Sequence, residues 1–119
     1  MFLTNSYIGL KKDIDSIDGT YDLIYMFGLD KKLKGNVRID CSAVKDDMRV
    51  YSDIDINAII KRLVISGIDT YIGNTPARSL CNAAYWHMLK KYNSHVVFFH
   101  VPSIRYITEE FIEKIKTTL

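Results

Sequence analysis

The chain has 119 residues, 48% hydrophobic and 25% charged, with a formal net charge of +2, which suits one domain over residues 1–119 built on one core. Its 16 Lys and Arg residues are spread along the sequence, so neither nucleic acid nor a membrane surface is an expected partner. No stretch approaches the roughly 20 apolar residues of a bilayer span, and the opening MFLTNSYIGLKKD has no charged region ahead of an apolar one, so a signal peptide is not expected.

Strand and helix patterns alternate along the chain. Residues 22–27 (DLIYMF) form a short apolar run that predicts a buried strand. Residues 36–44 (NVRIDCSAV) alternate, with Val37, Ile39, Cys41 and Ala43 on one face and Arg38, Asp40 and Ser42 on the other. Residues 54–66 carry apolar positions at helical spacing, and Gly67 follows as a stop signal. A strand over 68–72 and a turn-rich loop at 73–78 (GNTPAR) come next. Ser79 to Tyr92 predict a helix with Leu80, Ala83, Ala84, Met88 and Leu89 on its buried side. Residues 95–101 (HVVFFHV) predict another buried strand, which Pro102 and Ser103 end. Thr108 caps a last helix, with Glu109 and Glu110 in its first turn and Lys114 and Lys116 toward its end. Such alternation predicts an α/β domain with a largely parallel sheet.

In such sheets active residues gather where strands end and loops begin. Cys81 falls in the first turn of a predicted helix, where partial positive charge favours thiolate and backbone N–H groups can hold an oxyanion. His100 closes the following strand, on the same sheet edge, where a base for that thiol is needed. Taken by spacing alone, a lone helical Cys is more often a packing residue. Cys41 sits on the apolar face of its strand and is expected in the core. Two cysteines do not make a disulfide scaffold, so reduced thiols and a cytoplasmic setting are expected. No C-x-x-C is present, and His87, His95 and His100 lack paired spacing, so no metal or other cofactor is expected. Lys31, Lys32 and Lys34 beside Gly35 fit no phosphate-binding motif and are expected to be a solvated turn.

GNTPARSLCN (73–82) followed by VVFFHVPSI (96–104) resembles the two catalytic segments of the pyroglutamyl peptidase I, or pyrrolidone carboxyl peptidase, family. Asn74, Thr75, Leu80, Cys81 and Asn82 match the first segment; His100, Val101 and Pro102 match the second. YDLIYMFGL (21–29) is similar to a family strand ending in Gly-Leu or Gly-Gln, and DDMRV (46–50) falls on the family's Asp-Ala-Arg-Ile region. The resemblance implies a three-layer α/β/α sandwich with a mostly parallel sheet, lacking the first strand unit. It implies a cysteine-type peptidase or amidase that removes an N-terminal pyroglutamyl residue from a peptide or small amide. Cys81 would then be the nucleophile and His100 the base, with Arg49 and Asn74 supporting the oxyanion. Tyr85, one turn after Cys81, would face substrate, although packing of Tyr85 and Trp86 in the core or at a subunit contact is an equal alternative.

Three departures stand against the family pattern. The Glu that orients the family's His falls on Ile39 in the gapless register; Asp40, the next residue, is the candidate supporting carboxylate, although strand alternation points it to the opposite face unless a bulge or a two-residue slip intervenes. The N-terminal loop that grips the pyroglutamyl ring has no counterpart, which leaves an edge expected to be covered in a homo-oligomer. Pro76 and Ala77 stand where the family has Ala and Gly. The alternative functions are therefore a catalytically impaired homologue serving as a binding or assembly module, or one part of a split enzyme.

Overall fold

A computed structural model describes residues 1–74 and 80–119. Helix α1 (Tyr7–Asp15) leads into strand β1 (Ile24–Leu29), then β2 (Val37–Asp40) and the hairpin β3 (Ser42–Lys45) and β4 (Met48–Tyr51). Helix α2 (Ile56–Ile65), strand β5 (Thr70–Gly73), helix α3 (Leu80–Lys91) and strand β6 (Val96–Val101) follow. A short 3-10 turn (Ile104–Tyr106) and helix α4 (Glu109–Thr118) complete the chain.

The main sheet has the order β1-β6-β2-β5. The outer pairs β1–β6 and β2–β5 are parallel, and the central β2–β6 pair is antiparallel. Strand β6 is buried along its whole length, as a central strand covered on both faces must be. On one face, Leu10 and Ile14 of α1 and Ala84, Tyr85, Met88 and Leu89 of α3 pack on Met26 and Phe98. On the other, Ile56, Ile59 and Leu63 of α2, joined by Phe111 and Ile115 of α4, pack on Val37, Ile39, Val97 and Phe99. Helices on both faces of a mixed, mostly parallel sheet give the expected three-layer α/β/α architecture.

The one run expected over 36–44 divides at Cys41. Its first half joins the main sheet and its second half pairs with β4. Ala43 therefore leaves the company of Val37 and Ile39 and packs in the opposite core with α3. Each half has only four residues, so its apolar alternation continues across the break and conceals it. The β3–β4 turn puts Asp46 and Asp47 at φ 49° and 62°, the paired left-handed geometry of a tight hairpin, which Asp tolerates better than most residues.

Helix α1 has no counterpart among the sequence expectations. Ser6 caps its start by accepting from Gly9 N. Its last turn is held by Lys91 of α3, whose Nζ donates to the carbonyls of Ile14 (2.6 Å) and Ile17 (2.8 Å). A cation on a helix C-terminus satisfies orphan carbonyls and complements the dipole. Lys91→Met should cost about 1 kcal/mol, seen as a Tm lower by about 4 °C in thermal unfolding; an unchanged Tm would show that water replaces the ammonium without loss. The last helix begins where expected, with Thr108 accepting from Phe111 N.

Candidate active site

Strand β6 ends in Phe98, Phe99, His100 and Val101. Alternation puts Phe98 and His100 on the α3 side of the sheet, with ring centroids 4.7 Å apart. His100 is 3% exposed, and a buried imidazole needs partners. Its Nε2 lies 2.7 Å from Asp40 Oδ2, and Asp40 is itself 2% exposed. The candidate carboxylate Asp40 thus meets the imidazole without the bulge or slip that strand alternation was expected to require. Asp40 does point away from Ile39, but the antiparallel β2–β6 register sets Arg38 opposite His100 and Asp40 opposite Phe98, so the Asp40 face is the His100 face. A carboxylate is present at the imidazole, with no bulge.

Cys81 is the second residue of α3 and half-buried. Its sulfur lies over Gly28, which pairs with His100 in the β1–β6 ladder. A Cβ on Gly28 would stand 3.3 Å from Cys81 Sγ and 2.9 Å from the Phe98 ring. The bare backbone of Gly28 is thus what lets α3 bring its thiol down onto the end of β1, across the ladder from His100. With Nε2 occupied by Asp40, Nδ1 is the imidazole nitrogen left to take a proton; no hydrogen bond joins it to Cys81 in this structure. Burial pushes the Cys81 thiol up from its ordinary range, and the Asp40 and Asp30 carboxylates push it further, with Arg38 opposing them. The helix N-terminus was expected to favour thiolate; these groups together favour the neutral thiol at rest.

Three further contacts hold this corner. Asn82 clamps the hairpin to α3, its Nδ2 donating to Val44 O (2.7 Å) and its Oδ1 accepting from Val44 N (2.9 Å). Arg49 on β4 donates through Nη1 to Ser42 Oγ (3.0 Å) and to the backbone carbonyl of Asn74 (3.2 Å). Arg49 and Asn74 therefore meet at the start of the loop that leads to Cys81. Thr75, Pro76 and Ala77, the loop residues singled out in the sequence, lie outside the described residues. For Tyr85 the packing alternative is the one the structure shows. It is 1% exposed, and its hydroxyl donates to the Asp40 carbonyl (2.9 Å); burial pushes its phenol up. It supports β2 from below and presents nothing to a substrate. Cys41 packs beside the other core and its thiol lies 3.6 Å from Gly73 O. Among the described residues, no three His, Cys, Asp or Glu side chains converge as metal ligands.

No family model matches the chain. Pyrrolidone-carboxylate peptidases from two Clostridium perfringens strains, SM101 and 13, are each 34% identical over 90 residues, covering 71% of this chain and 41% of the relative. The pyrrolidone carboxyl peptidase of Thermococcus litoralis has a similar structure, with a TM-score of 0.78 and 16% identity over 98% of this chain and 73% of that one. An A199P variant of the Pyrococcus furiosus pyrrolidone carboxyl peptidase gives a TM-score of 0.70 at 23% identity, over 96% and 67% of the two chains. The chain is a divergent relative of the pyrrolidone-carboxylate peptidases. The matched region spans less than half the length of the curated relatives.

Set against that family, four residues of this corner escaped the sequence reading: Asp30, Arg38, Gly28 and Gly73. Arg38 donates through Nη1 to Asp30 Oδ2 (2.9 Å) and through Nε to Asp40 Oδ1 (3.2 Å). Gly73 pairs with Asp40 across β2–β5, and a Cβ there would collide with Asp40 Oδ1 and stand 2.9 Å from Arg38 Cδ. The two glycines each end a predicted strand, which is a visible signal for a close approach. Nothing in the sequence marks Arg38 and Asp30, because their pairing depends on the loop between β1 and β2.

Proposed function

We propose that this chain is a cysteine-type peptidase or amidase that removes an N-terminal pyroglutamyl residue, as the names of its relatives indicate for them. The observation that carries the reading is the buried His100–Asp40 hydrogen bond, with the Cys81 sulfur lying over Gly28, the ladder partner of His100. In the proposed cycle, Cys81 Sγ attacks the pyroglutamyl carbonyl while its proton passes to His100 Nδ1. Asp40 holds the ring by Nε2 and stabilises the imidazolium that forms. The oxyanion develops near the N-terminus of α3, where the first backbone N–H groups of a helix have no intrahelical partner. Arg49, tied to the Asn74 carbonyl, fixes the start of that loop. The C–N bond breaks as His100 returns the proton to the leaving amine, and a thioester remains on Cys81. Water then attacks with His100 as base, releasing pyroglutamate and restoring the thiol. Because the resting thiol is held neutral, attack depends on proton transfer to His100 rather than on a preformed thiolate.

Hydrolysis of a pyroglutamyl anilide tests this reading. The expected result is turnover that vanishes in Cys81→Ser and survives Cys41→Ser. An absence of turnover at high enzyme concentration would overturn it and favour a binding or assembly module. For the second reading the relevant feature is edge strand β1, where Phe27 and Leu29 are about half exposed beside unpaired backbone groups that a second copy can cover.

A further inference from the structure

Arg38 occupies an unusual position for a cation. It is one of two residues on β2 that face the α3 side, its own side chain is 22% exposed, and it touches a carboxylate 2% exposed on one side and another 19% exposed on the other. We propose that Arg38 is the positioning residue of this site: anchored by Asp30, it holds Oδ1 of Asp40 so that Oδ2 stays aimed at His100 Nε2. Each of the four groups is then fixed by its neighbour, from Asp30 through Arg38 and Asp40 to the imidazole. Asp30 is in turn fixed by Lys32 N, which donates to its other oxygen (2.9 Å). Gly73 supplies the space in which Arg38 and Asp40 meet. A carboxylate held by one oxygen alone is free to rotate; held by both, it presents a single geometry.

The charged and titratable groups at this corner come from every element that packs there. Asp30 follows β1, Arg38 and Asp40 lie on β2, Tyr71 on β5 faces the guanidinium, His100 ends β6, and Cys81 and Tyr85 come from α3. Arg38 is the cation among them that opposes the two carboxylates at the Cys81 sulfur. Its role has a consequence of definite sign. Removing the guanidinium leaves Asp30 and Asp40 unopposed and makes thiolate harder to form. Removing the Asp30 charge does the reverse, although both changes break the same 2.9 Å ion pair.

The inference rests on Cys81 and His100 being nucleophile and base for its catalytic meaning, but not for its electrostatic one. The test is the pH dependence of Cys81 alkylation by iodoacetamide in a Cys41→Ser background, measured for Arg38→Met, Arg38→Lys and Asp30→Asn. The midpoint is expected to rise in Arg38→Met, to fall in Asp30→Asn, and to stay near the parent in Arg38→Lys. Anilide turnover, measured in parallel, is expected to lose kcat in Arg38→Met with KM little changed, and to be partly restored in Arg38→Lys. Midpoints that move in the same direction in Arg38→Met and Asp30→Asn, or that do not move, would overturn the inference and leave the ion pair a structural brace. Should Arg38→Met fail to fold, the fall in Asp30→Asn with no shift in Arg38→Lys decides it. A parent that alkylates as expected but never cleaves the anilide would overturn the proposed function while leaving these signs readable.

Discussion

Asp40→Asn should lower kcat/KM for a pyroglutamyl anilide by roughly 10³-fold or more, equivalent to about 4 kcal/mol of transition-state stabilisation. The carboxylate is 2% exposed and 2.7 Å from His100 Nε2, and among the described residues no other carboxylate contacts that nitrogen. An amide at the same position offers Nε2 either a dipole of the wrong sign or a neutral acceptor. Neither balances the imidazolium that forms when Cys81 gives up its proton. The substitution keeps the volume and leaves Arg38 its bond to Asp30, so the fold should persist, as circular dichroism and a cooperative melt would confirm. A variant retaining activity within tenfold of the parent would show that Asp40 is not the orienting carboxylate.

Gly73→Ala is expected to approach the same loss by a different route. The added methyl occupies the space of Asp40 Oδ1 and crowds Arg38 Cδ, while the backbone around it is tied into the β2–β5 ladder. Overpacking in such a place costs about 1–3 kcal/mol of stability. The carboxylate can relieve the clash only by turning, which breaks its contact with His100, Arg38 or both. Activity should therefore fall by roughly 10²-fold or more, since misplacement of about 1 Å at a reacting group has effects of that size. The check is a melt together with anilide kinetics at a temperature where the variant is fully folded. Lost stability with unchanged kcat would mean that Asp40 absorbs the methyl without moving off His100.

Much of the fold was legible because its signals are local. The apolar run of β6, the helical spacing and terminal Gly67 of α2, and the Thr108 cap of α4 each depend on neighbours in sequence. Cys81 and His100 were legible for another reason: the residues flanking them match a family pattern, and the structure places them where strand β6 ends and α3 begins. The way Asp40 reaches His100 was not legible because the two lie 60 residues apart. Which face of β2 meets His100 follows from the antiparallel β2–β6 register, and no periodicity within residues 36–44 carries that information. The same register explains Tyr85. As a helical residue four positions after Cys81 it reads as ligand-facing, yet α3 lies flat on the sheet and turns that side onto the Asp40 carbonyl. Helix α1 went unread because only Leu10 and Ile14 of its nine residues are buried, too few for a clear apolar stripe.

The central claim is that Cys81 is a nucleophile served by His100 and Asp40. Its most direct test is acid quenching of the chain with a pyroglutamyl aryl ester, followed by peptide mass analysis. The expected result is a mass increase of one pyroglutamyl group on the peptide that contains Cys81, absent from the Cys41 peptide, and forming far more slowly in His100→Ala. An adduct on Cys41, or one that forms on Cys81 equally fast without His100, would contradict it.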